Sequence, residues 1–342
     1  MMWRGIALAI AAIALWSTVG LGQATITVTT TADENGNNNG DCSLREAIIA
    51  ANANSNAHES GCAAGVGMGD VIVLPAGQVF LLSVGQLSIT EGVTIQGNNS
   101  TIDGQNLSRV FYVNSSTLVT LQALTITRGW VNNDFGGCIY NETGSTLAIQ
   151  NSIIRECSSQ DPGAGGGGLA NRGQAALTGV TVENNTAVGF GGGIFNLGQL
   201  QVFTSLIRNN TTGAGGGGIC NISQVYLEDV FVEDNQAGGV GGGIASILIL
   251  ANPATLDMIR GAIRRNQAIE IGGGLVNGSG WPGLQATARL VDVTVQGNVA
   301  IHQNNFAVGG GIANIATSGG LAELELLRVT ISANQLDSAP QV

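Results

Sequence analysis

The sequence predicts an all-β protein, a parallel β-helix solenoid of about nine coils with a short N-terminal capping helix. A Gly-Gly-Gly motif followed by Ile or Leu, and two residues later by Asn, recurs along the chain. Leu169, Ile194, Ile219 and Ile244 in this motif follow one another at a step of 25 residues. Between the motifs, apolar residues alternate with polar ones, which is the period of a strand rather than of a helix. Units of fixed length that contain only strands and glycine turns stack as coils of a β-helix.

The composition of the 342 residues excludes several classes of protein. With 44% hydrophobic residues the chain is not intrinsically disordered, and its 53 Gly lack the Gly-X-Y period of collagen. The net charge is −11 and every basic residue is Arg, so we expect no nucleic-acid partner, because phosphate binding relies on clustered Lys and Arg. The two histidines, His58 and His302, are far apart, so no zinc site, catalytic triad or cofactor is predicted.

Residues 1–24 are predicted to be a signal peptide. Arg4 supplies the positive start, an apolar run covers Ile6 to Trp16, and Gly22 and Ala24 are the small residues before the cleavage point. The run is shorter than the roughly 20 residues of a membrane-spanning helix. No transmembrane segment is expected after cleavage, so the mature protein is predicted to be secreted or held at the cell surface.

Residues 25–70 are predicted to form an N-terminal cap that consists of a strand and a helix. Ser43 with Glu46 three residues later is a capping box, and Leu44 and Ala47 begin one apolar helix face. The helix would lie over the open end of the first coil and protect its strand edges.

The cysteines are few and odd in number. An exported protein allows a disulfide between Cys42 and Cys62. Cys138, Cys157 and Cys220 remain, so at least one thiol is expected to be unpaired.

Residues 71–334 are predicted to be the β-helix itself. In six successive coils one Asn stands at the end of a strand, and Cys157 and Gly129 take this position in the two coils before them. We interpret this column as structural, because stacked amides form hydrogen bonds to each other and to the backbone of turns. Asn also tolerates the left-handed conformation that a corner can require. A row of ligand-binding amides is the alternative. The column consists of Asn185, Asn210, Asn235, Asn266, Asn298 and Asn334.

Two columns of alternating charge support the same alignment, and they predict external ion-pair ladders that fix register. The first lies two residues before the Asn column and contains Arg155, Glu183, Arg208, Glu233 and Arg264. The second lies six residues before it and contains Asp229, Arg260, Asp292 and Arg328.

The N-terminal and repeat motifs together resemble a known family. The run from Cys42 to Ile48 reads CSLREAI and matches the signature of CSLREA-domain proteins of bacterial envelopes. The glycine repeats are similar to those of polymorphic outer-membrane proteins. The resemblance implies an exported, right-handed parallel β-helix of the pectin-lyase-like kind, often a surface or adhesive module.

Two functions remain open on the sequence. The first is an adhesive or structural module that binds a polysaccharide or a surface protein, with loop insertions at Asn252–Pro253, Trp281–Pro282 and His302–Phe306. Trp281 is a candidate sugar or protein contact there, or packs on its own coil. No catalytic or metal-binding residue is assigned in this hypothesis.

The second function is a polysaccharide lyase or glycoside hydrolase, which rests on fold analogy alone. Its best cluster of carboxylates is Asp229, Glu233, Asp234 and Asp292. A carboxylate beside Arg is held ionised, which is the opposite of a general acid, so the sequence favours the binding module.

The segment 335–342 is predicted to be a short C-terminal tail. Such a tail offers the last strands little cover. End-to-end self-association is therefore a further hypothesis.

Overall fold

The computed structural model describes residues 22–36, 39–56, 60–248, 253–279, 282–302 and 308–338. It confirms an all-β parallel solenoid with one helix near the N-terminus. The described strands form a sixteen-stranded, a nine-stranded and an eight-stranded sheet, called sheets A, B and C below. All the strand pairings are parallel.

The strands of sheet A are Thr25–Thr27, Asp70–Val73, Val79–Leu81, Val93–Asp103, Leu118–Thr127, Thr146–Gln150, Ile153–Arg155, Gln174–Thr178, Thr181–Glu183, Gln199–Phe203, Leu206–Arg208, Gln224–Glu233, Ala254–Arg264, Gln285–Gln296, Leu321–Leu327 and Thr330–Ser332. Those of sheet B are Leu87–Ile89, Phe111–Val113, Ile139–Asn141, Leu169–Asn171, Ile194–Asn196, Ile219–Asn221, Ile244–Leu248, Leu275–Ser279 and Ile312–Ala316. Those of sheet C are Trp130–Val131, Ser158–Ser159, Thr186–Ala187, Thr211–Thr212, Gln236–Ala237, Gln267–Ala268, Val299–His302 and Gln335–Ser338.

Each coil passes through sheet B, then sheet A, then sheet C. Leu169 pairs with Ile194, Ile194 with Ile219 and Ile219 with Ile244, so the 25-residue step of the sequence is one coil. The stack has about seven turns rather than the nine expected. The number of strands in sheet B, nine, is therefore larger than the number of complete turns. In the described chain the first of these strands, Leu87–Ile89, belongs to a coil that has no strand in sheet C.

The interior is filled by the inward residues of these strands. Val182, Ile207 and Val232 form one such column, and all three are fully buried. Burial of a side chain of this size contributes roughly 1.5–3 kcal/mol. Because the columns run from coil to coil, the core is continuous along the rod.

The triple glycines turn the chain from sheet C into sheet B. Gly191 has a φ of +62°, which favours glycine. Gly192 has ordinary φ, but a Cβ there would lie 2.5 Å from the carbonyl oxygen of Thr211 in the next coil. The motif therefore meets two requirements, a left-handed turn and then close approach of two backbones.

The N-terminal cap forms as the sequence indicates. The helix Leu44–Ala53 begins at Ser43, whose hydroxyl accepts from the backbone N–H of Glu46 while the Glu46 carboxylate accepts from that of Ser43. The strand Thr25–Thr27 pairs with Asp70–Val73, and Arg45 reaches the backbone carbonyl of Gln86 at 2.9 Å. The cap is thereby bonded to the first coils.

The segment 335–342 is not only a tail. Gln335–Ser338 is the last strand of sheet C, and it pairs in parallel with Val299–His302 of the coil before it. Residues 339–342 lie outside the described residues, as do residues 1–21 of the expected signal peptide.

Candidate functional site

A groove of about 290 Å³ crosses four successive coils where sheet B turns into sheet A. The side chains of Arg172, Gln174, Gln199 and Gln224 line it, together with the backbone of Gly173 and Gly198. The groove lies outside the rod, so its lining is accessible to a large ligand.

Three glutamines stand in register along the groove. Gln174 pairs with Gln199, and Gln199 pairs with Gln224. Each begins a strand, and the next residue in each strand points into the core, so the glutamines point outward. All three are exposed. Within the described part of the chain, asparagine side chains donate to the backbone carbonyl oxygens of these glutamines, whose own side-chain amides make no hydrogen bond.

The groove is concave because its floor lacks side chains. A Cβ on Gly198 would clash with the carbonyl oxygen of Gly173, one coil earlier. A larger residue at this corner would therefore displace backbone as well as fill the groove.

Arg172 supplies the charge at one end of the groove. Its Nη1 donates to the Tyr140 hydroxyl at 3.3 Å, and its guanidinium lies over the Phe135 ring, 5.0 Å from the centroid. Among the arginines that the structure describes, Arg172 alone has no ion pair.

The Tyr140 hydroxyl connects Arg172 to Glu142. The Tyr140 hydroxyl donates to Glu142 Oε1 at 3.2 Å and the Tyr112 hydroxyl donates to Oε2 at 3.3 Å. Burial alone would raise the pKa of Glu142, but hydrogen bonds from Thr143, Tyr140 and Tyr112 hold that pKa below its usual value. Burial raises the pKa of Tyr140 and of Tyr112, so both hydroxyls stay protonated and donate.

An aromatic array on the outer face of sheet B borders the groove. Phe135 stacks between Tyr140 and Phe195, at centroid distances of 5.9 Å and 6.1 Å, and Phe190 stacks on Phe195 at 5.7 Å. Phe195 continues into a small apolar cluster with Cys220. Neither the groove nor the aromatic array was predicted from the sequence, although a Gln recurs there three residues after the motif Asn.

The predicted Asn column is a structural ladder. In each step the Oδ1 of one Asn accepts from the backbone N–H and the Nδ2 of the Asn one coil earlier; from Asn185 to Asn210 the two distances are 3.1 Å and 3.0 Å. Nδ2 also donates to a carbonyl oxygen, such as that of Ile154. Asn185 through Asn298 are fully buried, and Asn334 ends the ladder in the last coil. These amides are therefore not available to a ligand.

The left-handed residues of this corner lie one position before the column, so the expectation that the ladder Asn adopt that conformation is wrong. Asn184, Asn209 and Asp234 have φ of 54°, 52° and 57°. These three residues make the backbone turn at the corner. The side chain of the Asn that follows each of them points inward, toward the ladder Asn of the adjacent coils.

A second Asn ladder runs along sheet B, formed by the last residue of the glycine motif. Asn171 Nδ2 donates to Asn196 Oδ1 at 2.8 Å, and Asn196 does the same to Asn221. At Ser246 the ladder breaks, and the Oδ1 of Asn277, in the next coil, is buried without a partner. The recurrence of the motif Asn could have predicted this ladder.

The charged columns form discrete ion pairs rather than continuous ladders. The pairs are Glu183 with Arg208 at 2.7 Å, Glu233 with Arg264 at 2.5 Å, Asp229 with Arg260 at 2.8 Å and Asp292 with Arg328 at 2.5 Å. In each, the Arg lies one coil after the acid and reaches back toward it. Register also places Arg208 beside Glu233, but no ion pair joins them in the structure.

Arg155 is the exception in the first column. It stands beside Glu183 in register, yet its ion pair is with its neighbour Glu156 at 3.9 Å, and its Nε is buried without a partner. The preceding coil offers Thr127 at this position, so an arginine that reaches back finds no acid there.

The carboxylates proposed for an enzyme are all engaged with arginine. Asp234 pairs with Arg265 at 2.7 Å, and Asp229, Glu233 and Asp292 belong to the pairs above. Hydrogen bonds from Arg260 and Arg328 hold the pKa of Asp229 and of Asp292 below the usual range. Neither Asp229 nor Asp292 can therefore carry a proton at neutral pH as a general acid must.

The cysteines form two disulfides, Cys42–Cys62 and Cys138–Cys157. Cys220 is unpaired and buried, and burial raises the pKa of its thiol. It is therefore unreactive at neutral pH.

Some residues of the predicted contact loops lie outside the described part of the chain: Asn252, Trp281 and the residues that follow His302 in its loop. His58 lies outside it as well. Among the described residues no cluster of His, Cys, Asp or Glu is suited to a metal ion. No described helix has the length and hydropathy needed to cross a membrane.

Comparison of the chain with known protein families, with curated proteins and with solved structures gave no match. The residues of the groove therefore carry the functional argument.

Proposed function

We propose that this protein is an exported β-helix module, secreted or held at the cell surface, that binds a polysaccharide or a surface protein through the groove without cleaving it. The observation that carries the proposal is the row of three exposed glutamines at the spacing of the coils. Their amides have donors and acceptors that the described chain leaves without partners.

Export is supported by two features. The N-terminal segment has the residue pattern of a signal peptide. Two disulfides are typical of an oxidising compartment. The CSLREA-like run is consistent with the same location. N-terminal sequencing of the exported protein is expected to begin at Thr25, whereas retention of Met1 would contradict the signal peptide.

The enzyme alternative finds less support. Glycoside hydrolysis needs a carboxylic acid and a carboxylate at a suitable separation. The four candidate acids are instead paired with arginine outside the groove. Asp292 lies two coils after the other three.

The test uses the full-length chain, expressed with its leader and purified after export. It is passed over immobilised neutral and acidic polysaccharides, and both retention and new chain ends are measured. Retention without new chain ends is expected, because the groove offers hydrogen bonds but no general acid.

A variant in which Gln174, Gln199 and Gln224 are all replaced by Ala should lose retention. The matched control replaces Gln236 and Gln267, a stacked pair in sheet C that lies outside the groove. Equal retention of both variants would contradict the groove as the binding site. New chain ends in the polysaccharide would favour the lyase or hydrolase alternative.

End-to-end self-association is part of the proposal for the last coil. Leu326, Ile331 and Leu336 there are 41%, 50% and 59% exposed. Their counterparts one coil earlier are fully buried, and these are Leu290, Val295 and Ala300. The N-terminal cap closes the other end of the rod, so two copies would meet through their last coils. A monomer by light scattering at high protein concentration would contradict it.

A further inference from the structure

We infer that the groove binds a neutral polysaccharide in an extended conformation along the rod, with one sugar for each coil. This inference rests on the proposed function and names its ligand class. It follows from the chemistry, the spacing and the charge of the groove.

The chemistry of the lining matches sugar hydroxyls. Each Gln amide presents two N–H donors and a carbonyl acceptor, and a hydroxyl group needs a partner of each kind. The three amides of Gln174, Gln199 and Gln224 have no partner within the described residues, so binding a sugar would replace only water. Ser223 adds a hydroxyl to the same wall.

The spacing of the lining matches an extended glycan. Neighbouring coils are separated by the strand spacing of a sheet, ~4.8 Å, so the three amides span roughly 10 Å. The separation of neighbouring coils is close to the length of one sugar in an extended β-linked chain. A linear glycan laid along the rod would therefore present hydroxyl groups of successive sugars to successive Gln side chains.

The charge favours a neutral ligand over an acidic one. Arg172 is the only cation of the lining, and it shares the Tyr140 hydroxyl with the ionised Glu142. The two charges largely offset each other at the groove. Because the protein carries a net charge of −11, its field opposes the approach of a polyanion.

Arg172 then acts as a hydrogen-bond donor at one end of the groove rather than as a partner for a ligand carboxylate. The ring of Phe135 and the hydroxyl of Tyr140 hold its guanidinium in place. Its remaining N–H groups are available to sugar oxygens.

The test measures the affinity of the full-length exported chain for cello-oligosaccharides from the dimer to the hexamer, by calorimetry at low and high salt. Affinity is expected to rise up to the trimer or tetramer, change little beyond, and be insensitive to salt. Oligogalacturonates of equal length, the acidic probes, should bind at least tenfold more weakly at low salt.

The variant Gln199→Ala removes the middle amide and should weaken trimer binding about tenfold, the loss of one or two net hydrogen bonds. Gln236→Ala, on sheet C, should bind as the unchanged protein does. Circular dichroism of each variant shows that the fold is retained.

Different failures separate the two proposals. Groove-dependent binding of oligogalacturonate in preference to cello-oligosaccharide, or of a protein ligand alone, would overturn the neutral-glycan inference and leave the binding module standing. Retention that is insensitive to all three groove glutamines would overturn both. Binding that continues to strengthen up to the hexamer would overturn the match of one sugar to one coil.

Discussion

The rod aligns its coils in two ways, by buried asparagine ladders and by exposed pairs of arginine and carboxylate. Both place a polar group of one coil against a group of the next. The Asn ladder from Asn185 to Asn298 is fully buried, whereas in the outer pairs the arginine side chains are 37% to 61% exposed. A buried amide that loses its partner has no water to replace it, whereas an exposed ion can be hydrated. The comparison indicates that stability resides in the inner ladders and that the outer pairs mainly favour the correct register.

The sharpest way to break the inner ladder is Asn210→Ala. The change removes the acceptor of the Asn185 backbone N–H and side-chain amide and the donor to the Val182 carbonyl. We expect the free energy of unfolding to fall by about 2–4 kcal/mol, measured by urea denaturation. The matched control is Asn209→Gly, at the exposed left-handed position beside it, which should change stability by less than about 0.5 kcal/mol. Equal effects of the two changes would contradict the importance of the ladder.

The break in the second ladder offers a way to strengthen it. In Ser246→Asn the new amide would donate to the unpartnered Asn277 Oδ1 and still accept from Asn221 Nδ2. We expect a gain of about 1 kcal/mol in the free energy of unfolding. Ser246→Ala is the control and should lower stability, since Asn221 then loses its contact with the hydroxyl. A less stable Asn variant would show that the coil has no room for the longer side chain.

The outer pairs should respond more weakly. Glu183→Gln removes the charge opposite Arg208 and is expected to cost less than about 1 kcal/mol. The cost should shrink further at high salt, because salt screens exposed charges. A double-mutant cycle with Arg208→Ala isolates the pair. A coupling energy as large as the effect of Asn210→Ala would contradict the conclusion that the buried ladders contribute more stability than the exposed ion pairs.

The smallest expected effect is on the pH dependence of the free energy of unfolding in acid. Arg260 and Arg328 lower the folded-state pKa of Asp229 and of Asp292 below their ordinary value of 3.8. A lowered folded-state pKa contributes stability above the unfolded pKa, and that contribution is lost as the pH falls through the folded pKa. Unfolding curves should therefore show a loss below about pH 4, and Asp292→Asn should lose less over the same interval. An identical acid slope in the variant would contradict the assignment.

Much of the fold could be predicted because a solenoid repeats its chemistry. The step from Leu169 to Ile194 and the alternation around Val182 give both the coil length and the inward face, since each coil meets only its neighbours. Ser43 and Glu46 likewise predict the start of the cap helix from local hydrogen bonding alone. The candidate site was harder to predict, because the recurrence of Gln174, Gln199 and Gln224 does not by itself show a groove. Arg172 and Phe135 are separated in sequence and meet only when two coils stack.

The sequence by itself determined the class of fold, the register of the coils and the cap, because these depend on periodic patterns and on contacts between residues a fixed step apart. Only the tertiary structure decided which polar columns are available. It directs Asn210 inward to a ladder and Gln199 outward to a groove, although both are amides that recur once per coil. It also decided that each arginine of the outer pairs reaches back to the acid of the coil before it. The reason is geometric. The left-handed Asn209 turns the chain so that Asn210 points inward, whereas Gln199 begins a strand whose next residue points into the core.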